Sequence, residues 1–345
     1  QINILISDNE LETSTLSITN TGEQGSILNY DLYNSPFSEV NSPPDAADYF
    51  WIDSDSDNYN YQWIDIDEGG NQVWFEDNDQ SSGPFNIGFD FPFYGQSYSE
   101  FIISPNGWIG FGDENSEWEN ISIPSSEAPM PSILAFWDDL NPINAETSPD
   151  MAGQVKYYSS DDKLIVWYND VVHWDDDRPY NFQIIIHKNG LININYRVMD
   201  GEKESATIGI QNATGEIGQE IVYNDSYIHN FLSLYFKQPP NWINIDNQSH
   251  IINQLNYLET ENHIISVDGA SLNNGNYDAY IYIESNAMGP VHIPIHIQVG
   301  YQSDIGDVNY DGIFNVQDVV LLISIILNTH PPNLEADVNQ DNQIN

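Results

Sequence analysis

Val291-His-Ile-Pro-Ile-His-Ile-Gln-Val299 alternates without a break, placing Val291, Ile293, Ile295, Ile297 and Val299 on one face. A period of two is met by an extended strand with one side on a core, because successive side chains point to opposite faces. Leu164-Ile-Val-Trp-Tyr168, Phe182-Gln-Ile-Ile-Ile186 and Leu191-Ile-Asn-Ile-Asn-Tyr196 read as further strands. Between the last two, His187-Lys-Asn-Gly190 carries the Asn-Gly hairpin signal. Turn residues recur about every 8 to 12 positions, as in β-sandwiches, and no helical period is evident before residue 315. The expected class is mainly β, with two β-sandwich domains and a small helical module at the C-terminal end.

The 345 residues are enough for two or three domains, and 40% hydrophobic residues can fill real cores. Against 7 Lys and Arg stand 53 Asp and Glu, for a net charge of −46. Such a surface repels nucleic acid and anionic membranes, attracts divalent cations and tolerates salt, which screens its self-repulsion. With Lys scarce in an Asn- and Ile-rich chain, it points to a saline habitat. There is no Cys, which removes disulfides, thiolate metal sites and Cys nucleophiles. The longest apolar run, Val319 to Leu327, is too short to span a membrane.

Segment order suggests one domain inserted in another. Thr13-Ser-Thr-Leu-Ser-Ile-Thr-Asn-Thr-Gly22 and Leu28-Asn-Tyr-Asp-Leu32 resemble the opening strands of bacterial immunoglobulin-like modules of the BACON and abnormal-spindle-like group. That family's continuation comes two hundred residues later, as Pro239-Pro-Asn-Trp-Ile-Asn-Ile245, Gly275-Asn-Tyr-Asp-Ala-Tyr-Ile-Tyr-Ile-Glu-Ser-Asn286 and the strand 291–299. The resemblance implies a discontinuous sandwich, 1–35 plus 237–300. The insert, 40–235, has Phe91-Pro-Phe-Tyr-Gly95, Ile103-Ser-Pro-Asn-Gly-Trp-Ile-Gly-Phe-Gly112 and Ala135-Phe-Trp-Asp-Asp-Leu140, then Gly153-Gln-Val-Lys-Tyr-Tyr158 and Ala206-Thr-Ile-Gly-Ile-Gln-Asn-Ala-Thr-Gly215. In this order they resemble the nidogen-like extracellular domain, which implies adhesive or matrix roles.

Residues 307–318 carry the strongest chemical signal. Calcium takes six to eight oxygens. Asp307, Asn309 and Asp311 alternate so that their side chains converge, Gly312 permits the sharp turn, and Ile313 offers its carbonyl. Asn315 contributes a side-chain or water-mediated contact, and Asp318 closes the loop. With Asp at the twelfth position and no entering helix, the stretch resembles the type I dockerin family, which implies a helix over Val316 to Leu327 and a cohesin partner. A second repeat starts with Asp337, Asn339 and Asp341, Asn342 standing where Gly is usual, and stops before a closing carboxylate. The module is expected over 304–345.

Asp53-Ser-Asp-Ser-Asp57 is a second calcium candidate, its alternate carboxylates Asp53, Asp55 and Asp57 set against the simpler reading of a solvated loop. Asp138 and Asp139 point to opposite sides of a strand end, so they do not form an obvious catalytic pair; one could hold a loop or a cation. His292 and His296 share a face and could bind metal, against the simpler reading of exposed strand histidines. Asp175 to Asp177 with Arg178 reads as an exposed turn. Nine Trp could include a sugar-stacking platform, although most sit in apolar strand phrases.

No G-x-S-x-G, H-E-x-x-H, phosphate loop or dinucleotide glycine pattern occurs. The expectation is therefore a non-catalytic, calcium-stabilised protein of the bacterial exterior that self-associates or binds a protein partner. The alternatives are an accessory C-terminal region of a secreted peptidase and a carbohydrate-binding module.

Overall fold

The computed structural model describes residues 2–6, 11–113, 115–142, 153–273, 275–299, 306, 308–309, 315–327 and 336. They form several largely antiparallel sheets and one short C-terminal α-helix, Val316–Ile326.

Strands from the two ends of the β-rich region share sheets. A five-stranded sheet runs in the order Ile2–Ile6, Val291–Val299, Gly275–Ser285, Ile27–Ser35 and His250–Asn256. Its first pair is parallel and the others antiparallel. A three-stranded sheet runs Ile243–Ile245, Thr260–Asp268, Leu11–Thr19. Their apolar faces meet in one core cluster, with Leu32, Ile281, Ile295 and Ile297 from the first sheet and Ile265 and Val267 from the second. The alternation read at 291–299 shows in the second half of the strand: Ile295, Ile297 and Val299 are buried and His296 and Gln298 half-buried, whereas Val291 to Pro294 are all half-buried.

The intervening chain builds a larger body. An eight-stranded sheet is centred on Lys163–His173, Asp176–His187 and Ile192–Met199. A six-stranded sheet includes Ser82–Phe93, Gln96–Ile103, Trp108–Gly110 and Ser132–Trp137. Between them lies a core rich in aromatics, where Tyr168 and Phe182 stack at 4.6 Å and Phe91, Phe136, Ile184 and Ile194 are almost fully buried. Burial of each such side chain contributes about 1.5–3 kcal/mol before the entropy of ordering it is subtracted.

Leu164 to Tyr168 is apolar on both faces, and both are covered. Leu164, Val166 and Tyr168 enter the central core, while Ile165 and Trp167 pack with Ile66 and Trp63 of the 60–68 segment. In Ile192-Asn-Ile-Asn-Tyr196, the apolar residues face the core. Asn193 bonds His187 at 3.1 Å, and Asn195 accepts from the Ser233 hydroxyl at 2.7 Å. The Asn-Gly hairpin closes as expected, with the Gly190 N–H on the His187 carbonyl and a φ of 83°. Tyr33 and Tyr282 of the five-stranded sheet pack against Phe50, Ile52 and Tyr235 of the larger body.

Candidate functional site

The segments around Asn106 and Asp138 meet in one structure. Gly107 turns with φ of 81°, and its carbonyl accepts from the N–H groups of Ala135 and Phe136, both at 3.1 Å. The Asn106 side-chain oxygen accepts from the Leu140 N–H at 2.9 Å. A turn thus clamps the end of strand Ser132–Trp137 and fixes where the two following carboxylates stand.

Asp138 is buried and accepts from the Ser205 hydroxyl at 2.6 Å and the Asp139 N–H at 3.0 Å. His173 lies across from it because Leu140 pairs with His173 in the sheet. The imidazole Nε2 is 3.5 Å from Asp138, and Nδ1 is 2.5 Å from Asp175 in the turn that follows. Asp138 above all, with Asp175, raises the His173 pKa to about 9, so the ring is a cation at neutral pH. Asp139 has the opposite fate. Burial, with Asp79, Asp138 and Asp175 nearby, raises it to about 6, and His173 only partly offsets this.

Chemically, this is a fixed cation between carboxylates with a surplus of negative charge beside it. It is not a Ser-His-Asp relay, because Ser205 donates to Asp138 and not to the imidazole. Both ring nitrogens face carboxylates, which suits holding the hairpin to the strand end rather than proton transfer.

At the C-terminal loop, Asp307, Asp311 and Ile313 lie outside the described residues, as do Asp337, Asn339 and Asp341. The described part has a defined geometry. Asn315 caps the helix: its side chain accepts from the Gln317 N–H at 2.8 Å, and Asp318 returns a bond from the Asn315 N–H at 2.8 Å. The other Asp318 oxygen accepts from the Asn309 N–H at 3.2 Å. These backbone donors, Asn315 first, hold the Asp318 carboxyl below the usual carboxylate range. Asp318 therefore reaches from the first turn of the helix back to Asn309.

The Asp53 set is differently arranged. Asp53 is buried and its carboxylate is taken by the Asn41 amide at 2.5 Å, the Tyr227 hydroxyl and the Asp55 N–H at 3.0 Å. Asp55 pairs with His229 at 3.1 Å, and Asp57 is exposed. Among the described residues, no group of three or more acidic or His side chains is gathered for a metal ion. His296 pairs with Asp278 at 2.5 Å, while His292 packs against the Tyr282 ring. Trp51, Trp108, Trp137, Trp167 and Trp242 are buried, whereas Trp74 (80%), Trp174 (58%) and Trp118 (46%) are exposed.

The model of the family described as NIDO related matches residues 54–234, more than half of the chain. The chain belongs to the NIDO-related family. Domains of this kind are typically extracellular, and among the described residues no helix is long and apolar enough to cross a membrane. No curated protein matches. Among solved structures, the Vibrio cholerae VesB protease aligns at 9% identity over 82% of this chain and 98% of its own. Its TM-score of 0.11 makes that superposition uninformative.

The NIDO-related region contains the whole Asp138–His173 cluster and also the Asn106–Gly107 turn that supports it. Sequence reasoning reached the two aspartates and missed His173 and Ser205, which are distant in the chain. The pairing of Leu140 with His173 is what brings the ring there.

Proposed function

We propose that this chain is a non-catalytic, calcium-stabilised structural or adhesive protein of the bacterial exterior, acting through self-association or a protein partner. Its parts are a discontinuous immunoglobulin-like sandwich (1–35 and 237–300), an inserted nidogen-like sandwich (40–235) and a dockerin-like calcium module (304–345). The observation that carries this reading is the interleaved strand pairing. Residues 11–35 and 243–299 share two sheets and one core, while the chain between them closes a separate core.

Three further observations support it. The NIDO-related match agrees with an extracellular setting. Asp318, bonded back to Asn309, has the position a calcium loop needs for its last carboxylate. In the Asp138–His173 cluster, the histidine nitrogens are engaged internally rather than presented to a substrate.

Electron microscopy of concentrated protein in calcium tests the reading. Filaments, sheets or defined oligomers are expected, and a monodisperse monomer with no protein partner would overturn it. A carbohydrate-binding role is favoured by one observation, the exposed rings of Trp74, Trp118 and Trp174. A glycan array that gave no signal would remove that role.

A further inference from the structure

The strand Leu11–Thr19 ends the three-stranded sheet and, among the described residues, pairs on one side only, with Thr260–Asp268. The pairing keeps one register from Leu11 opposite Asp268 to Thr19 opposite Thr260, with no bulge. On its outer side, alternate backbone N–H and C=O groups have no partner among the described residues. Folded proteins usually blunt such an edge with Lys, Pro, a bulge or a very short strand. This strand has nine residues, no Lys and no Pro.

Two other edges of these sheets are protected. On His250–Asn256, the Leu255 carbonyl is taken by the Asn20 amide at 3.1 Å, and the Gln254 N–H by the Asn253 side chain at 2.7 Å. Ile243–Ile245 has only three residues. Among the described residues, Leu11–Thr19 is left open, and its core side is only partly covered. Leu16 and Ile18 pack against the core yet remain half-buried, as do Glu12 and Ser14.

We infer that Leu11–Thr19 is the site at which a second copy of this chain adds, antiparallel, to make one continuous sheet. This rests on the self-association branch of the proposed function. The strand's own sequence argues for a second copy. With Leu16 on the twofold axis, Ser14 faces Ile18 on the core side, while Thr13 faces Thr19 and Thr15 faces Ser17 on the outer side. Leu then meets Leu at the centre, and hydroxyls pair across the surface, both favourable cross-strand arrangements. Centring on Thr15 instead would set Glu12 against Ile18.

Charge points the same way. Glu12 is the only charged residue of the strand in a chain of net charge −46. In the stated register the two Glu12 side chains lie about 27 Å apart, well beyond the screening length of about 10 Å at 0.1 M salt. A basic partner would be recognised by carboxylates, and this edge offers only one. The two chains still repel as wholes, so added salt strengthens the pair.

The test is sedimentation velocity of the whole chain over a concentration series, from about 0.02 to about 0.5 M NaCl. A reversible dimer that tightens with salt is expected. Thr15→Glu with Ser17→Glu sets like charges directly opposite each other on an exposed face and should weaken the dimer at least about tenfold, with the melting temperature unchanged. Thr15→Cys with Ser17→Cys should give an oxidised, covalent dimer, because directly opposed residues about 4.5–5.5 Å apart fall within disulfide range. The chain has no Cys of its own, so the cross-link is unambiguous. A monomer at all concentrations, or a dimer indifferent to both double variants, would overturn the inference. Neither result would bear on calcium binding by the C-terminal loop, and assemblies built through another surface would leave the proposed function standing.

Discussion

Each of the two sheet systems holds a histidine against aspartate, and the environments divide their roles. In the larger body, His173 lies at a turn between Asp138 and Asp175 and is charged. In the smaller pair of sheets, His263 is 1% exposed and links the Tyr30 hydroxyl, at 2.7 Å, to Asp246, at 2.7 Å. The first is an electrostatic clamp on a surface hairpin. The second is a polar chain joining the facing sheets, where the buried Tyr30 and His263 must keep their partners while Asp246 is half-exposed. The same residue types therefore answer differently to substitution.

The contrast extends to backbone tolerance and gives the largest expected effect. A Cβ at Gly107 would come within 1.9 Å of the Phe136 carbonyl oxygen, at a φ that side chains resist. Gly107→Ala should cost about 4 kcal/mol or more in chemical denaturation. Gly289, in the turn between Gly275–Ser285 and Val291–Val299, has open space around it, so Gly289→Ala should stay within about 0.5 kcal/mol. Equal losses at the two positions would break the contrast.

Next in size is His263→Ala, which leaves the Tyr30 hydroxyl buried without its acceptor or donor. A loss of about 2 kcal/mol is expected in the same assay. Tyr30→Phe with His263→Ala should recover part of it, because the orphaned hydroxyl is then gone.

His173 should show its effect through pH. Its folded pKa, about 9, lies above its ordinary value of 6.5. The stabilisation is therefore full below about pH 6.5 and lost as pH rises through 9. With screening at this partly exposed site, the change should be about 1–2 kcal/mol between those limits. His173→Gln should flatten that part of the stability profile.

Asp139 gives the smallest effect; its pH dependence runs the same way as that of His173, but its substitution should stabilise. Its folded pKa is raised from 3.8 to about 6, so the folded state binds the extra proton, and stability falls as pH rises through that interval. Asp139→Asn should then stabilise the protein at pH 7 by about 0.5–1 kcal/mol, allowing for screening. Destabilisation there would indicate that the carboxylate is needed, for instance by a bound cation.

The period-two strands were legible because one face of each meets a core, as at Val291–Val299. Their extents were less so. Lys163–His173 runs past Tyr168 through an irregularity at Asn169 and Asp170, where Asp170 has a φ of 53°. No alternation marks such a bulge. The surroundings of the Asp53 to Asp57 pattern were hidden for a related reason. Its rhythm is local, whereas the donors that occupy Asp53, Asn41 and Tyr227, arrive from other strands and loops. The cap that Asn315 and Asp318 make was not read, although all its partners lie within one turn, because both residues were taken only as calcium ligands.

The proposed role of calcium is to organise the C-terminal loop and its helix. Amide hydrogen exchange across Val316–Ile326, measured in calcium and in EGTA, tests it most directly. At a calcium concentration about one hundredfold above Kd, the ion contributes about 2.7 kcal/mol. Exchange of the helix amides should therefore rise about one hundredfold in EGTA, while the strands of the larger body stay protected. Helix amides that exchange at the same rate in both solutions would contradict the account.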